Sequence, residues 1–174
     1  VTSVRPTLQL KQFYHAIKRG LGRDLIDRLN EKNIPLITTF FAVAYMAEEH
    51  NFENDIYLVV CDTDVSRSWA PMHPEKSRIK YFAPTERVAA RLKTYGVKEE
   101  NIFLTGFPLP NENIGGMTET ILKPDLAARI HNLDPQHTYR STYEEIINKI
   151  LKKYDHEQPT HPLTITIAIG GAGA

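Results

Sequence analysis

Apolar positions near the start of the chain recur at helical spacing. In residues 7–19 (TLQLKQFYHAIKR), Leu8, Phe13 and Ile17 are expected on one side of a helix. Gly20 and Gly22 interrupt the pattern, and residues 23–32 resume it as a second helix. A short run rich in β-branched residues, 34–41, then predicts a buried strand, and AVAYMAEEH (42–50) predicts a helix. Asn54 and Asp55 punctuate the chain before IYLVVC (56–61), the clearest strand in it. Continuous apolar runs of this kind suit a parallel sheet covered on both faces.

The alternation continues through IKYFA (79–83), a short strand, and ERVAARLKTYG, a helix opened by Pro84 and Thr85 and closed by Gly96. NIFLT (101–105) predicts a further strand, ending in the turn Gly106-Phe107-Pro108-Leu109-Pro110. Strands alternating with helices predict an α/β fold, a Rossmann-like doubly wound parallel sheet. From residue 118 the pattern becomes helical and more polar, interrupted by Pro124, and HEQPTHP (156–162) has the composition of a linker. LTITIAIGGAGA (163–174) predicts a strand running into a glycine-rich turn. Such a turn leads into a helix whose N-terminal N–H groups can hold phosphate. The expected organisation is therefore a partial Rossmann-like domain over 1–155, a linker over 156–162, and the first strand and glycine loop of a second, truncated domain over 163–174.

Composition narrows the function. The 174 residues carry 21 basic and 21 acidic side chains, which gives no reason to expect nucleic acid as a partner. Cys61 is the only cysteine, so no intrachain disulfide can form, and a cytoplasmic setting is expected. No apolar run approaches the roughly 20 residues that span a bilayer. The seven histidines are scattered, and no His/Cys cluster has metal-ligand spacing, so no structural metal is expected.

Residues 59–110 carry an ordered set of motifs. These are Thr63-Asp64 at the end of a strand, Trp69 and His73-Pro74 in the loop beyond, Pro84-Thr85-Glu86 before a helix, and Thr105-Gly106-Phe107-Pro108 after the next strand. In this order they resemble the acceptor-side half of glycosyltransferases related to monogalactosyldiacylglycerol synthase and processive diacylglycerol glucosyltransferase. They are more distantly similar to the peptidoglycan N-acetylglucosaminyltransferase. IGGAGA at 169–174 resembles the first strand and glycine loop of that family's donor domain. The match covers roughly a third of the chain. The family's opening strand and its Gly-x-x-Gly-His loop are missing, so a catalytic base residing there has no counterpart to name, and residues 111–150 are longer and more helical than the family's bridge.

The resemblance implies a two-domain GT-B architecture and transfer of a hexose from a UDP-sugar, a substrate rather than a cofactor, to a lipid or other hydroxyl acceptor. It implies that Asp64 assists the acceptor or orients a base, and that Thr63, Trp69 and His73 line the acceptor site. Gly170, Gly171 and Gly173 would bind the donor diphosphate. Each residue also has a plainer reading. Asp62 and Asp64 suit the polar cap of a strand-to-loop turn, Trp69 a core position, His73 a solvated loop, and Thr38 and Thr39 a strand end. Glu86 suits the first turn of a helix, where it complements the dipole.

Lys11, His15, Lys18, Arg19, Arg23 and Arg28 make residues 7–32 basic, with Phe13 and Tyr14 interleaved, while Asp24, Asp27 and Glu31 dilute the charge. A solvated face is the favoured reading. Peripheral attachment at the inner face of a membrane is the alternative that a lipid acceptor would require. Two other functions share the architecture or the fold. One is a UDP-N-acetylglucosamine 2-epimerase-like enzyme, whose His-x-Glu-Ala-Gly segment is replaced here by CDTDVSRSW; the other is a non-catalytic binding module.

Overall fold

Four short apolar runs pair side by side as a parallel sheet. In the computed structural model, which describes residues 4–151 and Ile165, they are β1 (Leu36–Thr38), β2 (Ile56–Val59), β3 (Lys80–Ala83) and β4 (Ile102–Leu104). The order is β1-β2-β3-β4, every pair parallel, with Leu36 opposite Ile56, Leu58 opposite Tyr81 and Phe82 opposite Phe103. The sheet belongs to a unit spanning Val1–Pro108, and Leu109–Ala174 forms a second compact unit. The fold class is therefore α/β with an all-parallel sheet of Rossmann-like kind. The division between units falls inside the first of the domains expected from the sequence.

Four helices accompany the sheet: α1 (Leu8–Lys18), α2 (Arg23–Asn30), α3 (Phe41–Glu49) and α4 (Glu86–Thr94). Their ends follow local chemistry. The Thr7 hydroxyl accepts the Leu10 N–H, and the Thr85 hydroxyl accepts the Val88 N–H, each satisfying an otherwise orphaned donor at a helix start. Gly96 follows α4 at φ +94°, and a Cβ there would come 3.1 Å from Pro74 Cγ, so backbone shape and close approach both favour glycine. Glu86 is the first residue of α4, as its favourable position near the helix dipole anticipates. The buried face of α1 differs from the expected one. Leu10, Tyr14 and Ile17, spaced four and three apart, form the inward stripe, and Leu8 is 70% exposed.

One face of the sheet makes the core. Ile56, Leu58, Tyr81 and Ala83 are buried beneath α3 and α4, with α1 and α2 against α3. The strand order runs without the reversal of a doubly wound sheet among the described strands. Right-handed crossovers through α3 and α4 therefore place both helices on the same side. The other face carries an aromatic row, with the Tyr57 and Phe82 rings 5.5 Å apart and those of Phe82 and Phe103 6.0 Å apart.

The connection from β2 to β3 has no α-helix. It holds two 3-10 turns, Arg67–Trp69 and Pro74–Lys76, and buries Arg67, Trp69, Ala70 and Pro71. Irregular backbone in the interior needs partners for its polar groups. Tyr45 Oη donates to the Ser68 carbonyl (2.7 Å), Tyr81 Oη to that of Trp69 (3.0 Å) and Tyr95 Oη to that of Val65 (3.2 Å). Tyr14 Oη accepts the Met72 N–H at 3.1 Å. The Arg67 guanidinium fills the remaining gaps through the carbonyls of Val4, Ala70 and Pro71.

In the second unit, α5 (Asn111–Ile114), α6 (Leu122–Leu133), α7 (Thr138–Thr142) and α8 (Glu144–Leu151) follow in order. Pro124 lies in the first turn of α6, where no intrahelical N–H is lost, so it does not interrupt that helix. Ala127, Ile147 and Leu151, with Ile130 beside them, form a small core. The Asp134 carboxylate accepts the N–H groups of Tyr139 and Arg140 at the start of α7. The expected linker at 156–162 lies outside the described residues. So does the expected strand and glycine loop at 163–174, apart from Ile165, which is exposed and in neither helix nor strand.

Burial pushes the ionisation of Tyr45 and Tyr81 well above the ordinary value of 10.0. An unfolded chain releases these protons first, so their contribution is present below pH 10 and declines as pH rises above it. Tyr81→Phe is expected to cost about 1–3 kcal/mol in denaturant unfolding, because the Trp69 carbonyl loses its partner. The same variant should lose less stability than the parent between neutral and strongly alkaline pH.

Candidate functional site

In a parallel sheet the loops leaving the carboxyl ends of the strands gather along one edge, where α/β proteins bind their ligands. Here that edge carries Thr39 and Phe40 after β1, Cys61 to Asp64 after β2, Pro84 and Thr85 after β3, and Thr105 and Gly106 after β4. Asp64 is its electrostatic centre. One carboxylate oxygen accepts Arg87 Nε at 2.8 Å, and the other accepts Arg91 Nε at 3.2 Å. Arg91 Nη2 adds a 3.4 Å contact, and the Val65 N–H donates at 2.9 Å. Arg87 and Arg91 are four apart on α4 and so stand on one face of its first turns.

The hydrogen bond from Arg91, followed by those from the Val65 N–H and Arg87, holds the Asp64 carboxyl below its ordinary range against the opposing effect of partial burial. A carboxylate stabilised in this way is a poor proton acceptor. It is well suited to fixing the β2 loop against α4 and to orienting neighbouring groups. Thr85 strengthens the same junction: besides capping α4, its hydroxyl lies 3.4 Å from the Thr63 carbonyl. Thr63 itself is exposed at this edge, beside exposed Asp62 and Cys61.

The remaining expected site residues are placed elsewhere. Trp69, expected to line an acceptor pocket, is 9% exposed and packs edge-on against Phe41 at 5.3 Å, so its indole belongs to the core. His73 is exposed and 3.8 Å from Glu75. Its neighbour Pro74 lies against Gly96, beyond the C-terminal end of α4, whereas Asp64 binds the first turns of that helix. The fold thus joins Thr63 to Asp64 and sets His73 at the opposite end of α4. Gly170, Gly171 and Gly173 lie outside the described residues. Thr38 bonds its own loop, exchanging hydrogen bonds with the Phe40 backbone, which is the strand-end role.

Two residues of the site escape the sequence reading, Arg87 and Arg91. The available signal is a pair of arginines at helical spacing just past the cap Thr85. Their partner is 23 and 27 residues away, and only the packing of α4 on the sheet brings it within reach. Among the described residues no group of three or more His, Cys, Asp or Glu side chains is placed to hold a metal ion. No helix among them is long and apolar enough to cross a membrane.

No protein-family model matches the chain, and no curated protein or solved structure matches it either.

A depressed native ionisation stabilises the fold at neutral pH, and that contribution is lost as pH falls through the native value. Asp64→Asn should therefore lower the melting temperature at pH 7. The gap between variant and parent is expected to narrow as pH drops below about 4, the ordinary range for aspartate, and thermal scans across pH 3 to 7 check it.

Proposed function

We propose that this chain is part of the acceptor-side half of a nucleotide-sugar glycosyltransferase of the two-domain GT-B kind. One observation carries the reading. The motif set Thr63-Asp64, Pro84-Thr85-Glu86 and Thr105-Gly106-Phe107-Pro108 falls at the carboxyl ends of three adjacent parallel strands, where a ligand edge belongs. In the proposed reaction an acceptor hydroxyl attacks the anomeric carbon of a UDP-hexose. The bond to the diphosphate breaks, UDP departs, and the hydroxyl proton passes to a base.

On this chain, Thr63 contributes to the acceptor edge and Asp64 fixes its geometry through Arg87 and Arg91. Gly170, Gly171 and Gly173 would offer backbone N–H groups to the departing diphosphate, a role that needs no metal. The ionised, arginine-held state of Asp64 favours orientation over proton abstraction, so the base is another group. The acceptor is a lipid or another hydroxyl compound.

The test uses a polypeptide that carries both halves, incubated with UDP-sugars with and without diacylglycerol in micelles, while UDP release and sugar products are followed. The expected result is acceptor-dependent UDP release with a new glycoside, reduced about a hundredfold in kcat/KM by Asp64→Asn, since misplacing the acceptor is costly. Residues 1–174 alone are expected to show no turnover. Release without acceptor, or a sugar epimerised at C2, would replace the transferase with an epimerase-like enzyme. Absence of any nucleotide-sugar binding would leave a binding module.

A further inference from the structure

A second group of charged side chains in the first unit lies on α1, toward the end of α4 opposite Asp64. Lys11, His15 and Lys18 recur at intervals of four and three, so they share one face of the helix, beside the inward stripe that carries Tyr14. Facing them are Met72 and His73 from the β2–β3 connection and Glu49 from the last turn of α3. Together these side chains line a groove of about 200 Å³.

The groove is rich in donors without acceptors. The side chains of Lys11, His15 and Lys18 make no ion pair or hydrogen bond among the described residues. Tyr14 Oη accepts the Met72 N–H at 3.1 Å, which leaves its own proton without an acceptor among those residues. Burial holds that phenol in its protonated, donating form. His73 adds an imidazole whose nearest acid, Glu75, is 3.8 Å away. Among the described residues that line the groove, one acid, Glu49, faces two lysines; Glu48, outside the lining, also acts electrostatically on the Tyr14 phenol.

We infer that this groove binds a phosphate monoester, with Lys11, Lys18 and Tyr14 on the phosphate oxygens and Glu49 accepting a hydroxyl of the same ligand. A phosphate monoester carries about −1.5 to −2 charge at neutral pH and three strong acceptor oxygens, which matches two ammonium groups and a phenol. A simple carboxylate offers one charge and two oxygens and leaves donors unused. Glu49 disfavours a bare anion and favours one that also presents a hydroxyl donor, as glycerol and sugar phosphates do. The inference rests on this groove alone and stands or falls separately from the glycosyltransferase reading.

The test is NMR titration of the 174-residue chain at low salt with glycerol 3-phosphate, with sodium sulfate as the control anion. Saturable shifts are expected at the amides of α1 and of Met72 and His73, weakening as salt is raised. The double variant Lys11→Gln/Lys18→Gln should weaken binding at least about tenfold, the scale of a lost charged hydrogen bond. It alters only side chains that are solvent-facing, so the folded spectrum should persist. Tyr14→Phe provides a separate check on the phenol donor. A parallel sedimentation arm uses phosphatidylcholine vesicles with and without phosphatidic acid. Capture only by phosphatidic acid vesicles, abolished by the double variant, would identify the phosphate as a lipid headgroup. Absence of binding in both arms, equal shifts with sulfate, or an unchanged affinity in the double variant would overturn the inference.

Discussion

Four tyrosine hydroxyls hold a long irregular segment that the core buries. The β2–β3 connection replaces a crossover helix with two 3-10 turns, so its carbonyls lack the internal partners a helix would supply. Tyr45, Tyr81 and Tyr95 donate to three of those carbonyls, and Tyr14 accepts an N–H at the far end. These phenols come from α1, α3, β3 and the end of α4, so a single set of hydrogen bonds ties four elements to one loop. Their rings contribute to the apolar core at the same time: Tyr14 and Tyr45 stand 5.5 Å apart, and Phe41 bridges Tyr45 to Trp69.

That anchoring governs both regions of chemical interest. With Val65 and Trp69 fixed, Asp64 is held at the start of the connection, where α4 offers Arg87 and Arg91. At the other end, the Met72 N–H bonded to Tyr14 draws His73 toward α1 and its lysines. One hydrogen-bonded loop therefore spaces two charged clusters along the length of α4. It also explains why Trp69 and His73, close in sequence to Asp64, do not join it: the loop runs back between them from the carboxyl end of β2 toward the amino end of β3.

Much of the α/β architecture was legible from patterning. The runs at 56–61 and 79–83 became β2 and β3, and Thr85 and Gly96 marked the limits of α4, because cap chemistry is local. The strand at 34–41 shrank to Leu36–Thr38, since Thr38 turns its hydroxyl onto the Phe40 backbone and Phe41 begins α3. The inward face of α1 was misjudged because Leu8, though apolar, lies off the stripe of Leu10, Tyr14 and Ile17. Coverage of both sheet faces was a general expectation for parallel sheets. The unreversed strand order put α3 and α4 on one side instead.

The sequence by itself determined the succession of elements and their caps, the alternation that demands a parallel sheet, and the position of Thr63-Asp64 at a strand's carboxyl end. These follow from periodicity and from hydrogen bonds between residues a few positions apart. Only the tertiary structure decided that Asp64 is gripped by Arg87 and Arg91, that Trp69 faces inward, and that Lys11, His15 and Lys18 meet His73 and Glu49. Each depends on the distance between residues more than twenty positions apart, which packing sets and local pattern does not encode.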